Sequence, residues 1–94
     1  MPKRYPPLTP PEVSSILSAR GFVSDRSKGS HVQYRGTIRG VTRYVTVDTG
    51  KHEYSDFLMQ SMIRQSGMTR EEFYGATKST ARKIGLRHVV ELKD

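Results

Sequence analysis

Apolar positions along the chain follow two rhythms, one of about 3.6 residues and one of two, and their order sets the expected elements. Residues 1–8 are proline-rich and read as an extended lead. Thr9-Pro10-Pro11-Glu12 is a helix start: Thr9 caps, Pro10 suits the first turn and Glu12 closes a capping box. Val13, Ile16 and Leu17 then share one face and Gly21 supplies a left-handed stop, which predicts a helix over about 10–20. Three strands are expected next, over roughly 22–26, 30–35 and 42–48. Ser27-Lys28-Gly29 reads as a short hairpin loop, and Gly36 and Gly40 bracket a longer connection.

Alternation within the strands assigns faces. Val32 and Tyr34 fall on one side of the second strand, and His31, Gln33 and Arg35 on the other; Val45 and Val47 share a face in the third. This predicts one apolar sheet face that receives helices and one polar face left open. Ser55 caps a second helix of about 56–66, whose broad stripe is Phe57, Leu58, Met59, Met62 and Ile63 and whose stop is Gly67. Its methionines read as core filler. Thr69-Arg70-Glu71-Glu72 is a second capping box, opening a third helix through Phe73 toward Ile84, with Gly85 as its stop. Leu86–Leu92 is a candidate last strand. There is no internal repeat and no low-complexity segment.

With 94 residues the chain makes one domain with a modest core. It has no cysteine, so disulfides and thiolate metal sites are excluded. The N-terminus is basic, but no apolar stretch follows it and nothing approaches the ~20 apolar residues of a membrane span. The expectation is a cytoplasmic protein with no membrane contact. The formal charge of +7 favours a polyanionic partner, although a solubilising surface explains charge equally well. The charge is uneven. From Arg20 to Lys51 seven basic residues face two acidic ones, Asp25 and Asp48, for a local +5.

Most chemistries lack their residues. There is no GxxxxGK[ST] phosphate loop, no helical pair of metal-spaced histidines and no carboxylate cluster for a two-metal nuclease. A Ser-His-Asp hydrolase needs a nucleophile elbow and a larger scaffold. What remains is Lys28-Gly29-Ser30-His31 at a hairpin tip. A histidine there stands on a rigid element and still reaches solvent, and imidazole titrates near neutrality, as proton transfer with a ribose 2′-hydroxyl or a leaving oxygen requires. Lys28 and Arg35 are placed to hold a phosphate. An ordinary surface histidine on an open sheet fits the same spacing. His52 reads as a loop or packing residue, and His88 carries no assigned role.

The run of helix, Gly21-Phe22, strand and Lys28-Gly29-Ser30-His31 resembles the HicA (YcfA-like) toxins of bacterial toxin–antitoxin pairs. The likeness continues through Tyr44-Val45-Thr46-Val47 and through Ser61–Met68, which is similar to that family's closing helix. It covers about residues 10–75. The chain then divides into a lead (1–8), a HicA-like domain (9–77) and a C-terminal extension (78–94). The resemblance implies an α+β, double-stranded-RNA-binding-like α-β-β-β-α fold: a three-stranded antiparallel sheet with helices on one face. It also implies cleavage of mRNA without metal or cofactor, an antitoxin partner of the HicB kind, and His31 as the catalytic residue. Arg26, Lys28, Ser30, Arg35, Arg39 and Arg43 are the expected RNA contacts. Asp48-Thr49 stand where family members commonly have a proline, and Phe57-Leu58 where they have Gly-Thr. The rival reading is a non-catalytic basic RNA-binding module of the same fold. A basic DNA-binding accessory protein is a third, without a helix-turn-helix pattern to support it.

Overall fold

The computed structural model describes residues 5–92, so residues 1–4 of the expected lead and 93–94 of the extension lie outside it. The first capping box forms: Thr9 N donates to Glu12 Oε1 at 2.9 Å, and Glu12 also meets Lys83 at 3.4 Å. Helix α1 (Pro10–Ala19) buries Val13, Ile16 and Leu17. Strands β1 (Val23–Lys28), β2 (His31–Ile38) and β3 (Val41–Asp48) form an antiparallel sheet in the order β1-β2-β3. Helix α2 (Asp56–Ser66) follows, and its N-cap Ser55 accepts from Leu58 N at 3.3 Å.

The strands run longer than the alternation suggests because both turns are only two residues long. Arg39 and Gly40 join β2 to β3 with φ of 49° and 80°, the paired positive angles of a tight hairpin. Gly36 therefore lies inside β2, not in a connection. There the Phe22 ring occupies the space a side chain would need, so the missing Cβ lets Phe22 close over the sheet. The core lies between the sheet and the helices: Val45 and Val47 face Ile16, Leu17, Met59 and Met62 in one buried cluster.

The expected third helix is two short ones, α3 (Arg70–Tyr74) and α4 (Lys78–Arg82). The break falls at Gly75, against which Val90 packs, and Thr77 caps the restart. Thr80 and Ala81 are buried, and Thr80 Oγ1 donates to Tyr74 O at 2.6 Å. Leu86–Leu92 forms no strand. Its backbone bonds go to helix ends, where no ladder is on offer: Leu86 N donates to Ala81 O at 3.0 Å and Val90 N to Gly75 O at 2.8 Å. Arg20 fastens this segment, donating to Val90 O at 2.6 Å and to Glu72 O at 2.7 Å.

Candidate active site at the hairpin end of the sheet

Gly29 takes φ of 60° at the first position of a two-residue turn, which brings Lys28 opposite His31. His31 is in turn opposite Asp48, so all three strands contribute to one end of the sheet. Thr49 clamps this end, its N–H and Oγ1 both donating to Ser30 O at 2.7 and 2.9 Å. His31 stands on the open face as alternation predicts, while Tyr34 on the other face reaches Ser14 of α1 at 3.0 Å. The imidazole side chain is 61% exposed, and its Nε2 lies 3.7 Å from Asp48 Oδ2.

Asp48 was absent from the expected site residues. Its Oδ1 accepts from Gly50 N at 3.0 Å. The Ser30 hydroxyl and then that Gly50 N–H hold its carboxyl below the usual range against desolvation, and the charges of His31 and Lys51 lower it a little further. The carboxyl group beside His31 is therefore biased toward its ionised form. Tyr54 holds the backbone at this position, its hydroxyl donating to the Asp48 carbonyl oxygen at 2.9 Å. Burial pushes the Tyr54 hydroxyl up to about 12, which keeps it a donor.

A pocket of about 280 Å³ opens beside the imidazole. His31, Asp48 and Thr46 form one wall, Lys51 and Tyr54 the end, and Leu58, Ser61, Met62 and Gln65 of α2 the other wall. The pocket's far wall was not foreseen, because Met62 and Leu58 read as core. The i, i+3, i+4, i+7 spacing of 58, 61, 62 and 65 is the signal that marks one helix face, but it does not say what that face meets. A shallower groove on the other side of His31 is lined by Arg26, Ser27, Lys28, Gln33 and Thr46.

The expected RNA contacts divide into two groups. A bulge between Ser24 and Arg26 shifts the phase of β1, so Arg26 pairs with Gln33 and Lys28 with His31 on the open face. Ser30 faces Asp48. Arg35 is on the same face in a row with Val23 and Tyr44, and meets Asp25 at 3.8 Å. This row makes the face less polar than expected, for Val23 and Tyr44 are both about half exposed. Arg39 and Arg43 lie elsewhere. Arg39 binds Glu72 Oε2 at 2.9 Å and Gly67 O at 2.7 Å, and Arg43 lies against Gly67. Both cations gather at the C-terminus of α2, where the helix dipole is negative. The Arg43 row is five residues from His31, about 17 Å along the strand. His52 and His88 are exposed, and neither lines the pocket with His31.

This arrangement can move a proton at His31 and neutralise a phosphate with Arg26 and Lys28. Among the described residues, no three His, Asp or Glu side chains gather as a metal site needs, and no helix is long and apolar enough to cross a membrane. A family model described as the HicA toxin of bacterial toxin–antitoxin matches residues 11–68. No curated protein matches the chain.

Proposed function

The chain belongs to the HicA toxin family of bacterial toxin–antitoxin systems, and on that premise we propose that it is a cytoplasmic, metal-independent endoribonuclease that cleaves mRNA and is silenced by a HicB-like antitoxin. The carrying observation is the exposed His31 imidazole set 3.7 Å from an ionised carboxylate and opposite Lys28. His31 accepts the proton of a ribose 2′-hydroxyl as that oxygen attacks phosphorus. The bond from phosphorus to the 5′ oxygen breaks, and the imidazolium returns its proton to that leaving oxygen. The products are a 2′,3′-cyclic phosphate and a 5′-hydroxyl. Asp48 faces the imidazole across 3.7 Å and supplies a counter-charge to the imidazolium formed midway through the reaction. Lys28, with Arg26 beside it, balances charge on the pentavalent phosphorane.

His31→Ala tests this. General acid–base catalysis contributes roughly 10²–10⁴-fold, so cleavage should fall by that much. The side chain fills no core space, so stability should change by less than ~1 kcal/mol and RNA affinity should persist. Wild-type cleavage should survive EDTA, and a substrate with 2′-deoxyribose at the cut should resist. Cleavage by His31→Ala at the wild-type rate would remove His31 from the chemistry.

A further inference from the structure

We propose that the pocket between β3 and α2 is the subsite for the nucleobase next to the scissile phosphate, and that Gln65 tunes it toward uracil and guanine, the bases with an exocyclic oxygen at C4 or C6. The inference rests on the ribonuclease reading above and names what its active site selects. The pocket shares His31 and Asp48 with the reactive end of the sheet, so whatever fills it lies beside the imidazole. Its volume, about 280 Å³, is just under the ~300–1,000 Å³ of sites for drug-sized ligands and suits one flat heterocycle. Leu58 offers apolar surface to a ring face, beside the buried Tyr54 and Met62.

Polarity at the edge comes from Gln65. β3 is an edge strand, and its Thr46 N–H is satisfied by Gln65 Oε1 at 3.0 Å. That bond fixes the amide's orientation: the oxygen is used on the strand, and the NH₂ remains to donate. Among the described residues nothing accepts from it. A donor in this position pairs with the exocyclic oxygen at C4 of uracil or C6 of guanine and opposes the amino group that cytosine or adenine carries there. Lys51 at the pocket's end, and Arg26 and Lys28 in the groove across His31, match a base carried on a phosphate chain.

The test uses RNAs that differ only in the base flanking the cut. Wild type should cleave those with uracil or guanine there faster than those with cytosine or adenine. Gln65→Glu keeps an acceptor for Thr46 N–H but turns a second acceptor toward the pocket. It should swing the ratio toward cytosine and adenine by roughly tenfold, whatever its added charge does to the overall rate. An unchanged ratio overturns the proposal. As a second measurement, RNA with 4-thiouridine at that position is crosslinked to His31→Ala protein. Adducts should map to residues 58–65, and adducts confined to β1 overturn the subsite. If wild type cleaves no RNA, the ribonuclease reading fails while the crosslink still decides the subsite. If Gln65→Glu weakens antitoxin binding and leaves the base ratio alone, the pocket is a protein-docking surface and the proposal falls.

Discussion

At the hairpin end of the sheet, Arg26 and Lys28 point from the open face beside His31, with no ion-pair partner among the described residues. At the opposite end, Arg39 and Arg43 are drawn inward, Arg39 onto the buried Glu72 and both onto the last turn of α2. The two ends carry the same kind of side chain. What separates them is the company that other elements bring. α3 delivers a carboxylate to one end, whereas at the other Asp48 is already engaged by Ser30 and Gly50, and Asp25 meets Arg35. A local charge of +5 is therefore a poor measure of the charge offered to RNA. Part of it stabilises the fold.

The contrast is broken most severely by Glu72→Ala. Glu72 is buried, binds Arg39 and accepts from Thr69 N at 2.9 Å, so the substitution removes an ion pair and a capping box together. It also leaves Arg39, with its left-handed backbone, without that anchor. A loss of about 2–4 kcal/mol is expected, a fall in Tm of roughly 10–20 °C for a domain this size. Thermal unfolding measures it, and RNA cleavage per folded molecule should be unchanged. A drop in cleavage with Tm intact would mean that the Glu72 end takes part in the reaction.

A gentler comparison sets Lys28→Ala against Arg43→Ala in RNA binding across a salt series. Losing a phosphate contact reduces the salt slope by about 1, so Lys28→Ala should flatten it by that amount. Arg43→Ala should leave the slope alone. Equal slopes for both variants would erase the difference between the two ends.

The smallest effect expected is the pH dependence carried by Asp48. Its carboxyl pKa is depressed in the folded chain, so its stabilising contribution is present above the unfolded value of about 4 and lost as pH falls through the lower folded value. Wild type should therefore melt above Asp48→Asn near neutrality, and the two should converge as the pH falls below the folded carboxyl value. A difference in Tm that persists in acid would show that Asp48 acts through packing and not through its charge.

Much of this fold is local and was legible. Thr9 with Glu12 and Thr69 with Glu72 form the capping boxes that their spacing predicts, and α2 has the bounds set by Ser55 and Gly67. The third helix was overextended because Gly75 reads as a tolerable interior glycine until Val90, fifteen positions on, is found packed against it. In the site, His31 was visible and Asp48 was not. The pairing that sets them opposite is a matter of register between β2 and β3.

The sequence by itself determined α1, the three strands and α2, their order and the face on which His31 stands, because caps and hydrophobic period act over a few neighbouring residues. Only the tertiary structure decided which cations stay available, which carboxylate meets the imidazole and what walls the pocket. Those depend on a bulge that reverses the phase of β1, on the α3 carboxylate that engages Arg39, and on the packing of α2 along an edge strand. Each is a contact between residues far apart in the chain, and no local rule of spacing reaches that far.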